Sequence, residues 1–377
     1  MAFTRGRRAL LKVAAGTAAG LAWEGGNRVL ASSTPAPARP RNPNVYDQAV
    51  VIDGLAFLQF DPLSDKPVGE ELLRQIRDSG VTAINYTLSA PTFETTVRAI
   101  AKWTAFIEGH QDRLTRVRTS ADIERAKTEG RLAVLIGFQD PACLGNDLSR
   151  LELFHQLGVL IVQLTENTQN LLGSGCNEAR DAGLSRFGRE VVRRMNDLGM
   201  VVDASHCGPQ TTLDAIAASR RPIAITHSNC AAVYPTPRAK SDDVIRAMGE
   251  RGGVMGITLL NFFVGPKPRN GLEDVIAHID HVRGIAGIDH VGIGSDLPIG
   301  TFLEVYPDET TFMAALGPYI AASGATYIHW PATIEGLDGP HKLRTLAEGL
   351  ADHGYSSSEI VKVLGGNFLR VVRDSTG

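Results

Sequence analysis

Seven places in this chain set a chemically capable side chain inside, or at the end of, a short apolar run. They hold Asp53, Asn85-Tyr86, Gln139-Asp140, Glu166-Asn167, Ser205-His206, His227-Ser228 and Asp296. His206 and His227 close neighbouring runs, and Asp296 closes a later one. Neutral imidazoles suit a zinc ion. A carboxylate held across from them can take a proton from metal-bound water. The pattern points to metal-dependent hydrolysis, with His206 and His227 as ligands and Asp296 as the acid that handles the proton. The competing reading is that both histidines are ordinary strand-end residues hydrogen-bonded to loops.

For these residues to meet, the runs must be parallel strands whose C-terminal ends share one face. Eight near-continuous apolar runs fit that demand: 49–57, 81–87, 132–139, 159–165, 200–206, 222–227, 253–259 and 290–296. Such runs are expected of parallel strands covered on both sides. Amphipathic segments accompany them at 71–78, 93–107, 121–128, 148–157, 188–198, 211–218, 242–250 and 272–285. Gly80, Gly130, Gly158, Gly199 and Gly252 stand just before several of the runs, as suits the left-handed residue that ends a helix. Ser120 and Ser241 are candidate N-caps. This alternation predicts an α/β fold, a (β/α)8 TIM barrel of the metal-dependent hydrolase type. A doubly wound open sheet is the alternative, but no Gly-x-Gly-x-x-Gly follows the first run. Two further helices are expected at 342–353 and 356–373, the second opened by the capping box Ser356-x-x-Glu359. The Pro- and Gly-rich stretch 297–340 follows the last strand, which in a barrel lies over the mouth of the active site.

The N-terminus reads differently. Arg7-Arg8 and a mild apolar stretch to Trp23 fit a twin-arginine export signal over 1–31,. The stretch is too short, and with Lys12 too polar, for the ~20 residues of a membrane span. Val29-Leu30-Ala31 fits the cleavage site, and Ala36-Pro37-Ala38 is a second candidate. A basic, disordered N-terminus is the alternative. Residues 32–44 have the Pro-rich, polar composition of a linker. That leaves 45–377 as a single barrel domain with C-terminal helices, expected in the periplasm or otherwise outside the cytoplasm.

The whole chain carries a formal charge of −3; residues 1–38 hold five basic residues and one acidic, so the remainder carries −7. Nucleic acids and anionic membranes call for a basic footprint, so neither is an expected partner. No other segment is apolar enough to span a membrane. Four cysteines in a chain of 377 residues are too few for a disulfide framework,.

The residues from Gly183 to His206, GLSRFGREVVRRMNDLGMVVDASH, resemble the membrane dipeptidase (renal dipeptidase) family of metallopeptidases. So do PIAITHS at 222–228, Pro237-Arg238 followed by Ser241-Asp242-Asp243-Val244, VGIGSD at 291–296, and GNFLRV at 366–371. The resemblance runs from about Val51 to Val372 and implies a (β/α)8 barrel. It also implies a two-zinc dipeptidase, in which a hydroxide bridging the ions attacks the amide carbonyl while an acid shuttles the proton. On that resemblance His206 and His227 are ligands of the second zinc, and Asp296 is the proton-handling acid. Arg238 becomes the guanidinium fork for the substrate's C-terminal carboxylate.

The chain departs from the family at the first zinc. The family's Asp-Gly-His-x-Asp reads Asp53-Gly54-Leu55-Ala56-Phe57 here, which replaces both ligands with Leu55 and Phe57. The bridging glutamate falls on Gln139, and a substrate-binding histidine falls on Glu166. A tyrosine that helps hold the carboxylate falls on Leu259. The expected cofactor is one zinc ion per chain on His206 and His227, with Glu166 or Gln139 as third ligand; a metal-free site is the alternative. Cys207 and Cys230 adjoin the histidine strands but should face away from them. The leading reading is a mononuclear hydrolase of small amides or dipeptides acting on a small carboxylate substrate. A non-catalytic barrel that binds such a ligand, or non-peptidase metal chemistry on the same fold, are the alternatives.

Overall fold

The computed structural model describes residues 45–58, 69–322 and 328–376. The expected signal at 1–31 and linker at 32–44 lie outside these residues. Eight parallel strands close on themselves: β1 (Ile52–Asp53), β2 (Ala83–Thr87), β3 (Leu132–Phe138), β4 (Val159–Gln163), β5 (Val201–Asp203), β6 (Ala224–Ser228), β7 (Val254–Ile257) and β8 (Val291–Ile293). Each pairs with the next, and β8 returns to β1 through Ile293 and Asp53. Closure makes this a (β/α)8 barrel and rules out the open doubly wound sheet.

Each expected run yields a barrel strand. The first run also bends at Gly54-Leu55, after which Ala56–Phe57 pairs with Leu297–Pro298. Besides Leu297–Pro298, just past the last expected run, a short strand escaped the sequence: Leu114–Arg116 pairs with the first half of β3, and β4 pairs with the second half. Three residues between two helices carry too little period to be read as a strand.

The period of two along each strand divides the core. Ile52, Ala83, Ala133, Ile161, Val201, Ala224 and Val254 share one buried cluster with Phe368, Leu369, Val371 and Val372 of the last helix, Asn367–Thr376. Their neighbours Ile84, Val134, Val162, Val202, Ile225 and Met255 belong to the larger cluster, which they share with the surrounding helices. Three alanines and two glycines leave room for the last helix to plug the barrel. A Cβ on Gly54 or Gly292 would sit 2.5 Å from the Phe368 ring. Two residues further along the strands the buried side chains turn polar: Asn85, Gln163, Asp203 and Thr226. That polar layer underlies the mouth.

The helices expected between strands form within two residues of their expected ends, and Asp242–Glu250 matches at both,. Ser120 is not the N-cap of its helix. Thr119 takes that place, because Asp122 three residues on accepts the Thr119 N–H at 2.9 Å. Ser241 occupies its expected N-cap position without a side-chain bond. Ser356 and Glu359 form the expected reciprocal box. No helix among the described residues is long and apolar enough to cross a membrane.

Candidate functional site at the barrel mouth

Asp203 ends β5 inside the barrel and gathers four hydrogen bonds. Its Oδ1 accepts the Ser205 N–H at 2.9 Å, the Ser205 hydroxyl at 2.5 Å and the Thr226 N–H at 3.1 Å. Its Oδ2 accepts the Thr226 hydroxyl at 2.7 Å. Burial pushes the Asp203 carboxyl up, and the four bonds oppose that shift,. The chain of contacts continues outward. Thr226 Oγ1 lies 2.8 Å from His227 Nδ1, and His227 Nε2 lies 2.9 Å from His206 Nε2. His206 Nδ1 lies 2.9 Å from Asn167 Oδ1. Gln139, just past β3, places its amide 3.2 Å from His227 Nε2. Both imidazoles are buried, and burial holds their pKa values well below the usual histidine range, with Arg238 adding to the effect. They are neutral at neutral pH.

A cavity of about 480 Å³ opens above them, lined by Gln139, Glu166, Asn167, His206, Arg238 and Asp296 on its polar side. Phe57, Phe262, Phe263, Phe302 and Tyr306 supply an aromatic side. Phe302 and Tyr306 come from the stretch after β8, the one expected over the mouth. Arg238 is 3% exposed. It donates to the His227 carbonyl at 3.0 Å and stacks 4.9 Å from the Phe263 ring. Its Nε is buried with no partner, and among the described residues it forms no ion pair. Asp296 adopts a left-handed φ of 58°. Burial lifts its carboxyl to about 6, against the pull of Arg238. Burial also raises Glu166, with Asp140 and Asp296 adding to it and Arg238 opposing.

The structure therefore brings His206, His227 and Gln139 into contact, and it sets Arg238, Asp296 and Glu166 around the same cavity. Among the described residues no group of three His, Cys, Asp or Glu converges to hold a metal, so Glu166 does not complete the expected three-ligand site. Leu55 is buried and Phe57 stands in the cavity wall. A dinuclear zinc centre does not fit these residues, because its first site is apolar and its bridging position is a neutral amide. Two imidazoles and one amide suit one ion at most. Leu259 is fully buried and offers no polar atom. Cys207 accepts from Thr165 at 3.3 Å and Cys230 meets the His278 carbonyl at 3.5 Å, so both thiols are engaged elsewhere.

Sequence reading missed Asp203, Thr226 and the role of Asn167. The only local signal was the spacing Asp203-Ala-Ser-His206, which sets a carboxylate one turn of the loop below the histidine. It also missed the aromatic side, because Phe302 and Tyr306 lie in a stretch without period.

Residues 77–309 match the membrane dipeptidase family (peptidase family M19). The chain belongs to that family. Among curated members, dipeptidase verJ of Clonostachys rogersoniana is 33% identical over 272 residues, 71% of this chain. Dipeptidase tcpJ of Claviceps purpurea is 29% identical over 271 residues, again 71% of this chain. The chain spans 61% and 57% of the length of those two relatives. Among solved structures, an amidohydrolase from Pseudomonas aeruginosa is 33% identical, with a TM-score of 0.78 over 88% of this chain and 98% of its own. The probable dipeptidase PvdM from the same organism shares the fold, with a TM-score of 0.72 at 20% identity over 88% of this chain and 97% of its own. Membrane dipeptidase membership and the barrel agree with hydrolase ancestry; the residues at the first zinc site are where this member differs.

Proposed function

We propose that this chain is a small-ligand-binding member of the membrane dipeptidase family that holds a compact carboxylate on Arg238, without a dinuclear zinc centre. The observation that carries the reading is the buried Arg238 guanidinium, which forms no ion pair among the described residues and keeps a buried Nε without a partner. A cation out of water costs several kcal/mol unless it is paired; Asp296 and Glu166 line the same cavity but form no ion pair with Arg238, so a ligand carboxylate is the direct partner that the guanidinium can take. A guanidinium fork accepts two carboxylate oxygens at once. The aromatic side gives the ligand an apolar surface to pack on. Thermal unfolding in the presence of N-acetyl-L-phenylalanine and of simple dipeptides tests the reading. The expected result is stabilisation that rises with ligand and is unaffected by chelator. No stabilisation by any of these carboxylates would overturn it.

A second reading is hydrolysis of a small amide or dipeptide with a single zinc ion. The convergence of His206 and His227 Nε2 atoms beside the Gln139 amide supports it. His206, His227 and Gln139 would hold the ion, which supplies Lewis acidity toward a carbonyl oxygen. Asp296, which lines the same cavity, would take or give a proton, Arg238 would orient the substrate by its carboxylate, and the aromatic side would exclude water. Metal content of the purified protein, followed by a dipeptide hydrolysis panel, tests it. Zinc at one per chain with turnover is expected on this reading; no turnover in the zinc-loaded protein removes it.

The Arg7-Arg8 motif supports export through the twin-arginine route. Loss of the protein from the periplasmic fraction when both arginines are changed to lysine is the expected outcome.

A further inference from the structure

We infer that the ligand of this cavity carries a second charge: besides the carboxylate on Arg238, a basic side chain, an ammonium or guanidinium on an aliphatic stem, is received by Asp140, Glu166 and Asp296. The inference rests on the carboxylate reading above and adds to it the cationic end of the ligand.

The charge of the cavity wall carries the argument. Asp140, Glu166 and Asp296 line the same space of about 480 Å³ as Arg238, three carboxyls against one guanidinium. The formal charge is −2 when all four are ionised, and His206 adds nothing because burial keeps its ring neutral. None of the three acids forms an ion pair among the described residues. Asp140 Oδ1 accepts the Ala142 N–H at 2.9 Å. Burial, then Asp140 and Asp296, push the Glu166 carboxyl up, so the acids share one field and repel one another,. A ligand with a carboxylate alone would add to that negative charge. A ligand that also brings a cation relieves it. Arg238, 3% exposed and with its Nε unpartnered, fixes the anionic end; the acids mark the place of the cationic end.

The cation is organic. Among the described residues no three His, Cys, Asp or Glu side chains converge on a point that could hold a metal ion. The negative charge is instead spread along a wall, which fits a larger group on a stem. The rest of the cavity fits the stem. Phe262, Phe263, Phe302 and Tyr306 offer apolar surface, and the stems of Lys and Arg pack on such surface while the charged end reaches polar groups. Aromatic faces also attract a cation within about 6 Å of the ring centre; Arg238 already lies 4.9 Å from that of Phe263.

Isothermal titration calorimetry at neutral pH with Nα-acetyl-L-lysine and Nα-acetyl-L-norleucine tests the inference. Both ligands carry the carboxylate, a blocked amine and an aliphatic stem, and only the first ends in an ammonium. Acetyl-lysine is expected to bind about 10-fold or more tighter, the worth of a hydrogen bond to a charged group. Its advantage should shrink as salt is added. Equal affinities would overturn the inference and leave the carboxylate reading standing. Binding of neither would also overturn it, and N-acetyl-L-phenylalanine then reports separately on the carboxylate. Glu166→Gln should cut the preference for acetyl-lysine by about 10-fold, with acetyl-norleucine bound as in the wild type or tighter. Asp140→Asn keeps an acceptor for the Ala142 N–H and should shift the preference in the same direction. A preference unchanged in both variants would overturn the inference.

Discussion

Asp53 accepts the backbone N–H of Ser295 at 2.7 Å and its hydroxyl at 2.5 Å. Asp53 ends β1 and Ser295 follows β8, so the two residues stitch the seam where the barrel closes. The Leu55 N–H adds a third donor at 3.3 Å. The aspartate that opens the family's first metal motif is thus structural in this chain, while the ligands after it are gone.

Ser295→Ala removes one hydrogen bond to a buried carboxylate and leaves the backbone bond in place. The expected cost is about 1–3 kcal/mol, read as a lower midpoint in urea unfolding at an unchanged slope. A midpoint equal to wild type would mean that the hydroxyl contributes nothing to the seam.

Arg238→Met should separate binding from stability. The carboxylate site disappears, so affinity for N-acetyl-L-phenylalanine should fall by ~10-fold or more, the worth of a hydrogen bond to a charged group. The fold should hold or gain stability, because an unpaired buried charge has been replaced by a side chain of similar reach. A large drop in melting temperature would instead make Arg238 a structural residue.

Asp296 sets a pH dependence whose sign follows from its raised carboxyl at about 6. Between roughly pH 4 and that value the folded chain holds a proton that the unfolded chain has released. Its contribution to stability is therefore present at the acid end and falls as pH rises through the window. Asp296→Asn removes the titration, and Asn tolerates the left-handed φ of 58°,. The variant should show a flatter stability profile than wild type from pH 4 to 6. Affinity for a carboxylate that stays ionised should rise in the wild type as pH falls through 6, because a neutral Asp296 no longer repels it. Parallel profiles for the two proteins would exclude Asp296 as the cause.

Restoring the family's residues should restore its metal. The triple variant Leu55→His, Phe57→Asp and Gln139→Glu supplies the absent ligands of the first site. Elemental analysis should then rise from at most one zinc per chain to two. The variant should also be less stable without metal, because Leu55 is 3% exposed and polar groups there lose water,. Stoichiometry that stays at one or below would place the loss of the dinuclear centre elsewhere.

Much of this protein was legible before folding. Parallel strands buried on both faces read as apolar runs, so all eight barrel strands could be found, and the polar residues in or at the ends of seven of them marked the mouth. The strand at Leu114–Arg116 stayed hidden because three residues have no period to detect. The cap on Thr119 was misplaced by one residue because Ser120 is an equally good cap by type; only the reach of Asp122 distinguishes them. Glu166 looked like a ligand because a carboxylate beside two imidazoles is chemically apt, yet it lines the cavity without completing a metal cluster.

Sequence by itself determined what depends on residue type and local period: the strand–helix alternation, the histidines at neighbouring strand ends, and the apolar residues standing where the first zinc ligands would be. Only the tertiary structure decided the partners. Asp53 finds Ser295 across 242 positions, His206 finds Asn167 across 39, and Gln139 finds His227 across 88. A hydrogen bond depends on tenths of an ångström between strands brought together by barrel closure. That distance is set by packing of the whole core, and no local pattern carries it.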